Sequence, residues 1–483
     1  MTDVSAVSIS GKYLITSMEA ETLDLHKVQL NTNWILFIDG TLDLIEIWQD
    51  DNRLGWLLGK VIDLQVQAVA RDRVTIPSSQ GLEEAWQEIS ERFSGSWLCL
   101  IDQDSNIELR PDACATVGAV FDPVSRQLAS HACLIAGEDY DARLNQELRK
   151  ENEVEQDGWI TGGLTAHEGI FRLLPNHRVS TSDFQTSRLP LTMPDYSDAV
   201  DGIVDGMTSE VVGVTKSLVS IAPVHVALTG GNETRALLAM LRSMKDILSF
   251  VTVEYQTGAM DSAIASELAT RHQLQHIRLG EKRATKVQQA DWSYWAGHAL
   301  AGANKTFFPS VQPLAGGFLV GGLGGEVGRG FLWPNQLQNS TLISPKLIMA
   351  RLKLPHSKPT YKAVSSWYET LPSGLDPFQI LDLAYLELRM GPWAYAQPRI
   401  ANGPRSVHPL ISYPQFRRMR SIPPEQRLDN GMIKRLIQAN WDELLRVPIN
   451  AYGDWRDYRE KLMRGIRRPD RAMRKIKMLM TTR

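Results

Sequence analysis

Short apolar runs broken by turn residues fill the first 190 positions: "KYLIT", "WILFIDG", "KVIDLQVQAVA", "GSWLCLID", "TVGAVFD" and "QLASHACLIA". Runs of this length, bounded by Gly, Asp and Ser, predict strands in a mostly antiparallel arrangement, with "GLEEAWQEISERF" an intervening helix. The stretch "SRLPLTMPDYSDAVD" then collects Pro, Ser and Asp, which predicts a linker and a helix start.

From residue 198 the pattern changes. Val200, Ile203, Val204, Met207, Val211 and Leu218 recur at helical spacing. The strand "VHVALT", the helix "ETRALLAMLRSM", the strand "ILSFVTVEY", the helix "SAIASELATRH" and the short strand "HIRL" follow. Strand and helix alternating at these lengths predict an α/β class with a doubly wound parallel sheet. No internal repeat and no low-complexity tract interrupts the chain.

A length of 483 residues is long for one hydrophobic core and suggests two or three domains. Hydrophobic content of 43% and charged content of 22% fit a globular enzyme and set disordered and fibrous classes aside. The start "MTDVSAVSISGKYLITSMEAE" has no basic segment leading into an apolar block, and no run of about 18 apolar residues occurs. A cytoplasmic protein with no membrane contact is the expectation. Cys99, Cys114 and Cys133 show no metal-ligand spacing, which predicts buried, reduced thiols. Net charge is −3, yet residues 456–483 carry eleven Lys/Arg against three Asp/Glu. Such a basic tail can attract an acidic partner, a membrane face or nucleic acid, or simply be a solvated helix.

The candidate chemistry sits in "VHVALTGGNETRALLAML", residues 224–241, where a strand passes through two glycines into a helix. Without Cβ atoms, successive N–H groups and the helix dipole can cradle an anion, and phosphate suits the place. The loop is neither GxxxxGK[ST] nor GxGxxG. Glycines here can equally serve close helix–strand packing, and both readings stay open at this level.

The loop Thr229-Gly230-Gly231-Asn232-Glu233-Thr234 resembles the pyrophosphate loop of the asparagine synthetase family, Ser-Gly-Gly-x-Asp-Ser. Further on, "VEYQTGAMDSAIASELATRHQLQH" and "GGFLVGGLGGEVGRGF" look like the family's next strand–helix unit and its Gly-x-Gly-x-Asp-Glu strand end. The stretches "GSWLCLIDQDSNIELRPDACATVGAVFDPVSRQLASH" and "TAHEGIFRLLPNHRVS" are similar to its amino-terminal glutaminase-type domain. "HPLISYPQFRRMRSIPPEQRLDNGMIKRLIQ" is similar to its helical end.

The resemblance implies a degenerate glutaminase-like α+β sandwich over 1–190 and an ATP-binding synthetase domain over 196–455, followed by the basic tail. It implies ATP and magnesium, with Glu233 and Glu326 at the places of two metal-binding Asp residues. Leu228, Thr229, Gly230, Gly231, Asn232, Glu233, Thr234, Arg235, Val253, Gly321, Gly322 and Arg329 would hold the nucleotide, and Lys434 would stand near the phosphates. Asp261 fits an N-cap before "SAIASELA". Members of this family adenylate a carboxylate, release pyrophosphate and pass the acyl group to an amine, chemistry that needs an amide cradle, acidic metal ligands and cations.

The sequence also departs from the family. Residue 2 is Thr where glutaminase activity needs Cys, so glutamine is not the expected nitrogen source, and the first domain is read as non-catalytic. Leu323 replaces the Glu of ammonia-using members and the Tyr of β-lactam-forming ones, and leucine moves no proton. The Lys-Gly loop is missing from "VPINAYGDWRDY". Glu254, Tyr255 and Glu387 are the remaining candidates for a base, with Glu387 alternatively engaged near Arg389 or in solvent.

The expected activity is therefore amide-bond formation without glutaminase function, similar to the branch that holds β-lactam synthetases and lasso-peptide cyclases. A small-molecule or peptide carboxylate and an amine would be the substrates, with a carrier protein or leader peptide docking on the tail. A homodimer stays open and nucleic acid is not expected. The alternatives are a non-catalytic nucleotide-binding scaffold and an asparagine synthetase fed by ammonia.

Overall fold

The computed structural model describes residues 7–17, 25–103, 105–156, 158–256, 258–454 and 456–457. Thr2 and the basic tail beyond residue 457 lie outside the described residues. The fold is mixed α/β with several sheets, one of them parallel.

Two largely antiparallel sheets occupy the first part. One runs in the order Thr186–Arg188, His177–Ser180, Asn106–Pro111, Phe93–Gln103, Asn52–Asp63, Leu44–Gln49 and Arg73–Ile76. The other runs Phe171–Arg172, Val120–Asp122, Gln127–Ala129, Tyr13–Thr16, Ile35–Ile38 and His26–Gln29. Their facing side chains, among them Tyr13, Leu36, Trp56, Leu98, Leu109 and Phe121, form a single buried cluster. Strand alternation explains this directly, because every second residue of each run points inward.

Helix α1, Leu82–Arg92, covers the outer face of the first sheet through Ala85, Trp86 and Ile89. The outer face of the second is covered in part by Ala132–Ala136. The apolar run expected as one strand, "QLASHACLIA", thus splits into the strand Gln127–Ala129 and this short helix. A short apolar run has no periodicity that separates the two states, and burial against Leu14 and Phe37 decides for helix. The strand Leu44–Gln49, with Ile45 and Ile47 buried, is an addition to the expected set.

Helix α2, Val200–Val219, opens the second part as expected and buries Ile203, Val204, Met207, Val211, Val214 and Leu218. The parallel strands then follow in chain order with their helices: β1, Val224–Ala227, α3, Asn232–Met240, β2, Ser249–Glu254, α4, Ala259–His272, and β3, His276–Gly280. The remaining strands are β4, Phe318–Val320, and β5, Arg405–Val407, which is followed by α5, Tyr413–Ser421, and α6, Gly431–Trp441. Their order in the sheet is β3-β2-β1-β4-β5, all neighbours parallel. The chain steps outward from β1 to β3, then returns to the other side of β1 to place β4, so the order reverses between β1 and β4.

The antiparallel part keeps its own clusters but also sends a few side chains into the core of the parallel sheet. Ile62, Ala113, Cys114, Trp159 and Leu174 enter the same apolar cluster as α2, α3 and the parallel strands. Ile9–Ser10 pairs with Arg399–Ile400 across most of the chain. All three cysteines are free and buried, as expected. Among the described residues no helix is long and apolar enough to cross a membrane.

Candidate functional site

In open α/β sheets the crevice beyond the carboxyl ends of strands, where their order reverses, is where ligands bind. Here that place lies between β1 and β4, and both glycine-rich turns end there. Leu228 to Gly231 leaves β1 and enters α3, whose N-cap is Gly231. Gly321 to Gly325 leaves β4 and leads to Glu326 and Arg329.

The glycines let the two turns touch. A Cβ at Gly322 would lie 2.8 Å from the Glu233 carbonyl carbon and Cβ, and one at Gly325 would lie 3.0 Å from Glu233 Cγ. A Cβ at Gly230 would meet Ile264 Cδ1 at 2.8 Å, so this glycine also serves packing against α4. Thr229 and Thr234 join their hydroxyls at 2.8 Å, and Thr229 Oγ1 accepts from the Gly231 N–H at 3.1 Å. Thr252 Oγ1 donates to the Leu228 carbonyl at 2.7 Å and fixes the exit of β1.

Asp261 is not the expected N-cap. Helix α4 begins two residues earlier, with Gly258 as its cap, and Asp261 Oδ1 accepts from the Gly230 N–H at 3.1 Å. A first-turn carboxylate still complements the helix dipole, but this one braces the glycine turn as well. The first N–H groups of α3, from Asn232 to Thr234, have no intrahelical acceptor and are the donors that remain for an anion.

Glu233 and Glu326 are brought together from positions 93 residues apart in number. The Arg329 Nε donates to Glu233 Oε1 at 2.6 Å, while Glu326 Oε2 accepts from the Gly324 N–H at 3.0 Å. Burial, then the charge of Glu233, pushes the Glu326 pKa up, with the Gly324 amide and Arg329 opposing. A half-buried pair of carboxylates, one of them held by Arg329, is an arrangement that a divalent cation can bridge. Two carboxylates and no third donor suit magnesium, which commonly takes one or two protein oxygens and completes its shell with phosphate and water. Among the described residues no cluster of three or more His, Cys, Asp or Glu is arranged for a metal.

Several expected residues stand elsewhere. Arg235 is fully buried and donates from Nη1 to the carbonyls of Leu444 and Val447 at 2.9 and 2.8 Å, and from Nη2 to that of Pro448 at 3.3 Å. Burial lowers its pKa to about 10. It anchors the segment after α6 and is not a phosphate ligand, because α3 turns it away from the glycine loop into the core. Lys434 is exposed on α6, beside Asp201, Gln426, Arg435 and Gln438 in a surface hollow. The core face of α6 is made by Met432, Ile433, Leu436 and Ile437, so helical spacing leaves Lys434 outside.

Glu387 is not a free base. It is fully buried and accepts from Arg188 Nη1 and Nη2 at 2.8 Å each, from Asn176 Nδ2 at 2.7 Å and from Trp367 Nε1 at 2.5 Å. Burial alone would raise its pKa, but Arg188 above all, then His177 and Asn176, hold it below the usual carboxylate range. Arg389 is not its partner and instead lies over the rings of Trp159, Trp393 and Phe331 at 4.7, 5.4 and 6.0 Å. Glu254 ends β2 in a half-exposed ion pair with Arg278, 2.5 Å from Nη2. Tyr255 packs against Phe307 with ring centroids 5.3 Å apart.

Two features at the crevice escaped the sequence reading. Asn450, in the segment noted only for its missing Lys, donates its N–H to the Gly230 carbonyl at 2.8 Å, and Arg235 holds the residues just before it. Tyr385 is buried, with its ring 5.0 Å from that of Phe331. Burial and then the Glu326 charge raise its pKa well above the usual phenol value, while Arg389 and Arg329 oppose. An apolar helical stripe conceals such a tyrosine in sequence.

No family model matches the chain, and no curated protein matches it either.

Proposed function

We propose that this chain is an ATP- and magnesium-dependent ligase that adenylates a carboxylate, releases pyrophosphate and passes the acyl group to an amine, without glutaminase activity. In this reading residues 1–190 are a degenerate glutaminase-like sandwich with a structural role, and 196–455 are the nucleotide domain. The observation that carries the reading is the meeting of the two glycine turns, with Glu233 and Glu326 on them, at the reversal point of the parallel sheet. There the open N–H groups of α3 would take phosphate oxygens, and Arg329 would exchange Glu233 for an anionic oxygen.

Magnesium, when bound, supplies charge neutralisation at the phosphates. Glu233 and Glu326 would hold it, and the Tyr385 phenol, which feels the Glu326 charge, would lie near it. The acid, the amine and any carrier protein at the basic tail belong to the proposal as classes only.

The test is carboxylate-dependent pyrophosphate exchange over a panel of acids, on the wild type, Glu233→Ala and Glu326→Ala. Exchange that needs magnesium and is lost in both variants is expected, whereas Lys434→Ala should exchange like the wild type. Variants equal to the wild type would end the metal assignment.

A second reading, nucleotide binding without turnover, is favoured by the internal closure of the turn: Asp261 occupies the Gly230 amide and Arg329 occupies Glu233. Thermal stabilisation by ATP with no exchange for any acid would select it.

A further inference from the structure

Two arginines share the ring of Phe331. Its centroid lies 4.9 Å from the guanidinium carbon of Arg329, which pairs with Glu233, and 6.0 Å from that of Arg389. The ring is 41% exposed and stands 5.0 Å from that of Tyr385. The charges of Glu326, Arg389, Arg329 and Glu233 all act on the Tyr385 phenol, so these groups occupy one neighbourhood at the crevice.

The two cations differ in what they hold. Arg329 donates to Glu233, whereas the guanidinium of Arg389 has no hydrogen-bond or ion-pair partner among the described residues. None of its nitrogens is sealed from solvent, and the residue is partly exposed. Only aromatic rings attend it: beside Phe331, Trp159 at 4.7 Å and Trp393 at 5.4 Å. Trp159 is fixed in turn, because its Nε1 donates to the Leu388 carbonyl at 3.2 Å. Rings stabilise a nearby cation but leave its N–H groups without an oxygen acceptor. The helix Pro377–Tyr385 also widens into a π turn over Leu386–Met390, where Arg389 stands, and such turns gather at functional sites.

We propose that Arg389 and Phe331 form the subsite for the amine substrate, and that this substrate is an α-amino acid with an aromatic side chain. Its carboxylate accepts from the Arg389 guanidinium, its ring stacks on Phe331 and its amine points to the acidic side of the crevice. Arginine presents paired N–H donors that match a carboxylate. An open aromatic ring beside them selects a ligand whose anionic group adjoins a flat apolar body, which a bare phosphate lacks. An uncommitted cation in the same neighbourhood as the Glu326 carboxylate complements a zwitterion. Naming the occupant as the amine rests on the ligase reading, whereas the subsite itself does not.

Calorimetric titration of the full chain with L-phenylalanine, in parallel with phenethylamine, 3-phenylpropionate and L-alanine, tests the assignment. Saturable binding of L-phenylalanine is expected. The other three, which lack the carboxylate, the amine and the ring in turn, should each bind more weakly by about tenfold or more. Arg389→Gln and Phe331→Ala should each weaken L-phenylalanine by a similar factor and keep a cooperative melt, since both side chains reach solvent. No nucleotide is present in the titration, so a chain that exchanges no pyrophosphate can still bind phenylalanine, and the failure of one reading is told from that of the other. No binding of L-phenylalanine, equal binding of phenethylamine or 3-phenylpropionate, or binding untouched by either variant would overturn the proposal. Loss of ATP-induced thermal stabilisation in Arg389→Gln, with phenylalanine binding intact, would make the guanidinium a phosphate ligand instead.

Discussion

Replacing Glu387 by Gln removes one charge and almost no volume from a buried carboxylate that accepts four hydrogen bonds. The carboxylate has no exposure and the Arg188 side chain is 9% exposed, so the guanidinium would be left in a low-dielectric setting with a neutral amide. Breaking a buried pair from one side costs about 3–5 kcal/mol, more than the pair itself contributes, since the remaining ion is uncompensated. With unfolding entropy of roughly 2.1 cal/mol/K per residue, a chain of 483 residues melting as one unit has about 1 kcal/mol/K, so the expected fall in Tm is about 3–5 °C.

The pH dependence of this effect has a definite sign. The folded-state pKa of Glu387 is depressed, so its contribution is complete above the unfolded carboxylate value near 4.5 and is lost as pH falls through the folded value. Urea unfolding of wild type and variant at several pH values should show a constant gap above about pH 5.5 that closes in acid. Salt should change it little, because the pair is shielded from mobile ions. A variant within about 1 kcal/mol of wild type that nevertheless lost all exchange activity would refute the structural role and return Glu387 to the list of bases.

For Glu326 the sign is opposite. Its folded pKa is raised, so its contribution is fully present below the unfolded value and lost as pH rises through the folded value. Glu326→Gln should therefore gain on wild type in thermal melts as pH increases, and magnesium should narrow the difference by stabilising only the wild type. Arg235→Ala should cost about 3 kcal/mol in chemical denaturation, by orphaning the carbonyls of Leu444 and Val447, and should expose the chain after residue 444 to limited proteolysis. Gly322→Ala should push the two turns apart and cost about 1–3 kcal/mol, with ATP-induced thermal stabilisation reduced more than overall stability.

The parallel sheet and its turns were legible because their signals are local. β1, α3 and β2 each declare themselves within about ten residues, and a glycine pair at a strand end has few uses. The neighbourhood of Glu233 and Glu326 was reached through the order of motifs in the family resemblance, and the contact itself rests on Gly322 and Gly325 lacking Cβ atoms. The assignments of Arg235 and Glu387 were not legible for the opposite reason. Their partners lie 209 and 199 residues away, and a cation after a glycine loop looks the same whether its helix points it outward or inward. Lys434 shows that the period of α6, Met432-Ile433 and Leu436-Ile437, already placed it on the solvent side. For Asp261 the cap falls three residues earlier, at Gly258, and the carboxylate is drawn instead to the Gly230 N–H, a contact 31 residues away that no local cap signal carries.

The pairing of Ile9–Ser10 with Arg399–Ile400 sets a timetable for the nascent polypeptide. That small ladder cannot close until nearly four hundred further residues have left the ribosome, which at roughly 5–20 residues per second takes on the order of 20–80 s. Throughout that interval Ile9 and Ser10 are without these ladder partners, although the neighbouring strand Tyr13–Thr16 can already pair with Ile35–Ile38.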